Sequence, residues 1–260
     1  VSTSFRATPA DGVVWITGAS SGIGRATALE FARRGFTVVA TARRLDQLEA
    51  LCAEPDAAGL IRAEPGDVTD PAAMTRIVEG MAEKHGPLAI AFLNAGTYFP
   101  DKGVDFDADL VKRTFDINIG GTANCLEPVL RVMKRRGKGQ VGVNASVAGY
   151  VGLPRSAAYG PSKAALINMC ASLRFALEPA GITMQVISPG FVGTPLTAKN
   201  DFPMPFMIPA EDAARRICDG FARAGFEITF PRRLSWLLKA INLLPYRLYF
   251  PLVGSATRER

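Results

Sequence analysis

Short apolar runs rich in β-branched residues recur along the chain at 13–18, 37–42, 60–64, 88–96, 140–146, 182–188 and 227–230. Between them, near 23–34, 46–53, 71–85, 106–136, 157–179 and 210–224, apolar positions repeat every three or four residues. A run apolar at nearly every position marks a strand buried on both faces, and the longer repeat marks an amphipathic helix. Strand–helix alternation demands right-handed crossovers, which build a parallel sheet covered by helices on both sides. The pattern predicts a doubly wound parallel α/β sheet in a single domain over 1–260, with no internal repeat, low-complexity segment or dividing linker.

Composition narrows what such a domain can do. With 48% apolar residues the chain can bury a substantial core, which excludes disorder as its main state. Cys52, Cys125, Cys170 and Cys218 stand alone, without the paired spacing of zinc sites, redox pairs or disulfide frameworks, and read as core residues of a reducing compartment. His85 is the single histidine, in "EKHGPL", which reads as a helix end; a histidine-based triad or histidine metal cluster cannot be built. The net charge of +6 is spread over arginine pairs, with a denser run, "RVMKRRGKG", at a helix C-terminus. Without interleaved aromatic residues or a recognition motif, no nucleic-acid partner is expected. The N-terminal "VSTSFRATPADG" lacks a signal-peptide layout and no uncharged apolar run reaches spanning length, so the expectation is a cytoplasmic protein.

Two local patterns carry chemistry. "VVWITGASSGIGRA" sets Gly18, Gly22 and Gly24, with Ser20, Ser21 and Ile23 among them, at the junction of the first strand and first helix. Glycines there let backbone N–H groups approach a pyrophosphate at the positive end of the helix; a purely structural turn is the alternative, and the strand–turn–helix setting favours a dinucleotide. "SAAYGPSK" sets Tyr159 and Lys163 four residues apart, on one face of a helix that Pro161 requires to begin close to Tyr159. A surface pair is the alternative. Acid–base work is feasible: taking a phenol from a pKa of about 10 to about 7 needs roughly 4 kcal/mol. An ammonium at about 4 Å, at an effective dielectric of about 20, supplies on the order of 4 kcal/mol.

The ordered set Thr17-Gly18-x-x-x-Gly22-Ile23-Gly24, Asn94-Ala95-Gly96, Asn118, Ser146, Tyr159-x-x-x-Lys163 and Pro189-Gly190 resembles the short-chain dehydrogenase/reductase family, in its compact single-domain branch, over residues 12–195. Leu93 departs from it, standing where many members have an asparagine, and the C-terminal third matches no motif. The resemblance implies a Rossmann-type fold and a catalytic set of Asn118, Ser146, Tyr159 and Lys163. Tyr159 would act as general acid/base and Ser146 would hold the substrate oxygen. Lys163 would also bond the nicotinamide ribose, and Asn118 would hold a water against Lys163; Asn118 also reads simply as a polar residue interrupting a helix. In "GDVTD", Asp67 and Val68 would meet the adenine, although the segment equally reads as a helix-initiating turn. Asn94, Ala95 and Gly96 would line the cofactor crevice with Asn94 bracing backbone, and Pro189, Gly190, Val192 and Thr194 would follow the sixth strand, with Val192 and Thr194 at the carboxamide.

Cofactor choice is read at the end of the second strand, where an acid would bond a ribose 2′-hydroxyl and an arginine would accept a 2′-phosphate. "VVATARRLDQ" puts Ala42 at the acid position, followed by Arg43 and Arg44. NADPH is therefore expected over NAD, and ordinary surface charge is the alternative. Residues 196–225 are expected to supply a substrate loop and helix, with Phe202, Met204, Phe206, Met207 and Ile208 either lining an apolar pocket for a carbonyl or alcohol substrate or packing on the core. In the tail, 232–260, Leu234, Leu237, Leu238, Ile241 and Leu244 keep helical spacing among Arg232, Arg233, Lys239 and Arg247. A homo-oligomer contact, in a dimer or tetramer, is the first reading of that tail and peripheral membrane attachment the second. A catalytically idle NADPH-binding sensor on the same fold is the rival function.

Overall fold

The computed structural model describes residues 4–57, 59–101, 104–199 and 202–257. Seven parallel strands form the sheet: β1 (Val13–Thr17), β2 (Val38–Thr41), β3 (Ile61–Ala63), β4 (Leu88–Leu93), β5 (Gly139–Asn144), β6 (Ile182–Pro189) and β9 (Glu227–Phe230). Their order is β3-β2-β1-β4-β5-β6-β9, so the winding reverses between β1 and β4, where Val14 registers with Ile90 and Trp15 with Ala91. In open α/β sheets ligands bind outside the carboxyl ends of the strands at such a reversal.

The central strands β1, β2, β4 and β6 are buried at every position because each face of the sheet has its own core. Val13 and Trp15 of β1 join one cluster and Val14 and Ile16 the other. Trp15 can be wholly buried because its indole N–H donates to the Thr41 hydroxyl at 2.9 Å. Leu93, the departure noted above, is a buried member of the first cluster at the end of β4. The helices on the faces are α1 (Gly22–Arg33), α2 (Leu45–Cys52), α3 (Pro71–Lys84), α4 (Ala108–Phe115), α5 (Gly121–Arg136), α6 (Tyr159–Leu177) and α7 (Ala210–Arg223). The single helix expected over 106–136 is two helices joined by a π-turn at Asp116–Gly120, with the Gly121 N–H reaching back five residues to the Asp116 carbonyl. Such turns are frequent at functional sites.

His85 caps the C-terminus of α3 and pairs with Glu64 at 2.9 Å. The four cysteines are free thiols, and no cluster of metal-binding side chains occurs among the described residues. A two-residue parallel bridge, β7 (Val192–Gly193) with β8 (Ile208–Pro209), closes the base of the loop between them; residues 200–201 of that loop lie outside the described residues, as do 258–260 of the tail. The tail folds into α8 (Arg232–Ile241) and α9 (Tyr246–Thr257), and no described helix is long and apolar enough to cross a membrane.

Candidate active site

The glycine loop is bent as the spacing required. Gly18 and Gly22 hold left-handed φ values of 67° and 53°, where a side chain is strained. A Cβ on Gly24 would lie 2.3 Å from the Gly18 carbonyl oxygen, and one on Gly22 would lie 3.1 Å from the Thr194 methyl. Ser21 is the N-cap of α1 but its side chain makes no capping bond, so the first-turn N–H groups are left for an anion. Half-buried Ser20 sits in the turn, and Ile23 packs on the core. Asn94 braces this loop, donating to the carbonyls of Thr17 at 3.1 Å and Gly18 at 3.3 Å, while the Thr17 hydroxyl accepts the N–H groups of Asn94 and Ala95.

At the end of β2, Arg43 and Arg44 are exposed, with no acceptor among the described residues, and Arg44 is the N-cap of α2 without a side-chain capping bond. Two unpaired cations at the positive end of a helix are costly unless an anion joins them. Farther along, the Asp67 carboxylate accepts the Thr69 N–H and hydroxyl, both at 2.9 Å, and Asp70 caps α3. Val68 is buried against Gly121. The turn reading of "GDVTD" therefore holds, with Asp67 still at the surface. A glycine cradle, open helix N–H groups and unpaired arginines together fit a dinucleotide bearing phosphates.

The catalytic candidates converge at the carboxyl ends of β4, β5 and β6. Ser146 follows β5; its hydroxyl accepts the Ala148 N–H at 3.1 Å and donates to the Pro189 carbonyl at 3.4 Å, and it lies close enough to the Tyr159 phenol to favour the ionised form. Tyr159 opens α6, as Pro161 required, and Lys163 one turn later is 4% exposed, with its Nζ 5.5 Å from the Tyr159 ring centre. Gly96 gives this corner its room, since a Cβ there would crowd Asn118 Oδ1 at 3.1 Å and touch Lys163 Nζ at 3.4 Å. Gly190, after β6, is held by the Phe230 carbonyl at 2.7 Å. Val192 is buried in the core, and Thr194 is tied to Thr197 by bonds of 3.0–3.3 Å, so Val192 presents only main chain.

Two expectations change. A phenol drawn down to about 7 is not what this surrounding produces: burial pushes Tyr159 up to about 12, the Ser146 hydroxyl opposes that, and neighbouring Tyr98 adds to it. Lys163, with its Nζ 5.5 Å from the ring centre and its amine donating to the Asn144 carbonyl at 2.8 Å, does not reverse this in the buried site, and burial brings its own pKa down to about 8. Asn118 lies in the π-turn, fully buried. Its amide is consumed, accepting the Thr97 N–H at 2.7 Å and donating to the Thr97 carbonyl at 3.1 Å and the Ser162 hydroxyl at 2.9 Å. Its side chain thus ties the β4 loop to α6.

Sequence reasoning missed Asn144 and Tyr98. Asn144 links the braced loop to the lysine: its carbonyl accepts from Lys163, its amide donates to Asn94 at 2.9 Å, and its buried Oδ1 has no partner. The signal was a polar residue ending an apolar strand two positions before Ser146. Tyr98 packs edge-on to Tyr159 at 5.4 Å. Nor do the expected loop residues line the cavity of about 280 Å³ whose walls include Pro100, Asp101, Phe106, Leu110, Ala157 and Ala158. Phe206 and Met207 are exposed, and Phe202 packs on Phe191.

The family model for short chain dehydrogenases matches residues 12–203. The chain belongs to that family. It is an oxidoreductase of the short-chain dehydrogenase/reductase type, a family that binds a nicotinamide cofactor. An oxidoreductase of Myxococcus xanthus without assigned substrate is 39% identical over 94% of this chain and 95% of its own length. A 2-keto-3-deoxy-L-fuconate dehydrogenase of Xanthomonas campestris is 36% identical over 69% of this chain and 58% of its own. Among solved structures, a Streptomyces avermitilis short-chain dehydrogenase overlays with a TM-score of 0.79 at 24% identity, covering 95% of this chain and 99% of that one. A Sphingobium yanoikuyae short-chain dehydrogenase solved with NADPH gives 0.76 at 25%, covering 94% and 93%.

Proposed function

We propose that this chain is an NADPH-dependent carbonyl reductase and alcohol dehydrogenase, with Tyr159 as the proton donor and acceptor. The observation that carries the reading is the convergence of Ser146, Tyr159 and Lys163 at the strand ends beside the braced glycine loop. Gly18, Ser20, Ser21, Gly22, Ile23 and Gly24 would hold the pyrophosphate, Asp67 and Val68 the adenine, Arg43 and Arg44 the 2′-phosphate, and Asn94, Ala95, Gly96, Pro189, Gly190, Val192 and Thr194 the nicotinamide side. When bound, the cofactor supplies or takes up the hydride.

The chain's own residues then handle oxygen and proton. Ser146 holds the carbonyl oxygen against the phenol, which orients it and stabilises the charge that develops there. An alkoxide is the conjugate base of an acid about as weak as water, pKa ~15.7, so a phenol held at about 12 gives up its proton downhill. Reduction needs no depressed tyrosine. Oxidation does, and there the Lys163 charge stabilises the phenolate. Asn144 holds Lys163 through its carbonyl, and Asn118 ties the first turn of α6 to the β4 loop.

The test is a panel of aldehydes, ketones, quinones and 3-oxoacyl thioesters, followed by loss of NADPH absorbance. Turnover of at least one class, with NADPH preferred to NADH, is expected. Tight NADPH binding with no turnover across the panel would favour an idle sensor.

A further inference from the structure

The two C-terminal helices bury one face and leave the other open. Leu234, Leu238, Tyr249 and Val253 close over Val147 and Val151. Polar contacts lock the seam: Glu227 accepts the Tyr150 hydroxyl at 2.7 Å and pairs with Lys239, and the Tyr249 hydroxyl donates to the Gly152 carbonyl. The outward side carries Trp236, Leu237, Leu243, Tyr246, Leu248 and Phe250, each between 55% and 84% exposed. Tyr246 and Phe250 stack at 5.6 Å on one face of α9. Large apolar side chains gathered on one short stretch mark an interaction surface, unlike single scattered ones.

Charge selects the partner. Between Glu227 and Glu259 the sequence contains no acidic residue, while Arg232, Arg233 and Arg247 are exposed and without a carboxylate partner among the described residues. An isologous contact through this patch would bring together two basic surfaces with no acidic residue to offset them. A layer of lipid phosphates complements them, and tryptophan, tyrosine and leucine beside basic residues suit the headgroup boundary. Length selects the mode: helices of 10 and 12 residues, at about 1.5 Å per residue, cannot span a hydrocarbon core of about 30 Å, so they lie in the plane.

We propose that α8 and α9 dock this chain on an anionic phospholipid surface, their apolar face in the headgroup boundary and Arg232, Arg233 and Arg247 on lipid phosphates. Docking there brings the reacting edge of the sheet to the lipid. α8 follows β9 directly, Pro231 and Leu234 lie against Gly190, and Val147, next to Ser146, lies under the seam. Resting on the reductase reading, the substrate class is a lipid-borne carbonyl.

The full chain is sedimented with vesicles of equal parts phosphatidylglycerol and phosphatidylcholine, and with vesicles of phosphatidylcholine alone. Strong binding to the first and weak binding to the second is expected. Arg232→Gln/Arg233→Gln/Arg247→Gln lowers affinity on the order of 100-fold, a factor of about five per basic group. Trp236→Ser/Phe250→Ser also weakens binding while keeping the wild-type melting temperature, because both side chains are exposed. Tyr159→Phe keeps vesicle binding, so a failure of the catalytic reading leaves this test intact. No co-sedimentation with anionic vesicles, an arginine variant that binds as well as wild type, or a dimer that the Trp236→Ser/Phe250→Ser variant dissociates would each overturn the proposal.

Discussion

The site at the strand ends before residue 195 and the outward faces of the chain after it use their side chains differently. Before it, polar groups are spent on main chain: Thr17 holds two N–H groups, Asn94 two carbonyls, and Asn118 both polar atoms of Thr97. After it, Phe206, Met207, Trp236 and Phe250 stand in solvent. The first arrangement fixes reacting groups to fractions of an ångström, which chemistry requires. The second leaves contacts for a partner to complete. Tyr159 sits where they meet, between the braced loop and the segment covered by the tail.

The sharpest way to break this contrast is at Tyr159. Tyr159→Phe is expected to lower kcat by about 100- to 10,000-fold, the range for a lost general acid, with NADPH binding and melting temperature unchanged. Comparable turnover in that variant, measured by NADPH oxidation with the best panel substrate, would falsify the assignment.

Next in size is a paired test within the tail. Leu238 is 8% exposed and packed in the seam, whereas its neighbour Leu237 is 55% exposed. Leu238→Ala should cost about 2–4 kcal/mol through a cavity, and Leu237→Ala less than about 0.5 kcal/mol. Equal losses in urea unfolding would show that the outward face is not free.

That pair also shows where the sequence stops being readable. Leu234, Leu237, Leu238, Ile241 and Leu244 share one spacing, and which of them face inward depends on Val147 and Val151, far away in the chain. The central strands were legible because burial on both faces leaves a mostly apolar run, and the order of motifs placed Ser146, Tyr159 and Lys163 on one edge. The π-turn was not, since Ile117 and Ile119 continue a helical pattern through it. Nor were the ionisation states: spacing gives the distance between a phenol and an amine, but not the burial that outweighs it or the Asn144 carbonyl that holds the amine.

At the cofactor end, Arg43→Ala should weaken NADPH by about 1.5–3 kcal/mol, the range for a lost hydrogen bond to a charged group, and leave NADH nearly unaffected. Titration of cofactor fluorescence checks it. A wild-type preference for NADH, or equal losses for both cofactors, would return Arg43 to the solvated surface.

The smallest effect separates the two ends by pH. Burial holds Lys163 at about 8 against an ordinary 10.5. Between those values the unfolded chain binds the extra proton, so this group makes stability rise with pH there; below 8 both states are protonated and its contribution is level. Tyr159 acts oppositely: at about 12 against 10, the native chain keeps a proton the unfolded chain loses, and stability falls as pH climbs through that window. Activity follows the lysine. The kcat/KM for NADPH, which reports ionisations of the free enzyme, should fall about tenfold from pH 7 to 9 as the ammonium is lost. Lys163→Arg, whose guanidinium stays charged, should move that limb out of range even at lower turnover. Vesicle binding through Arg232, Arg233 and Arg247 should stay flat over the same interval, because arginine does not titrate there. A wild-type profile level to pH 9 would mean that Lys163 keeps its proton despite its burial, and that the Asn144 carbonyl outweighs desolvation.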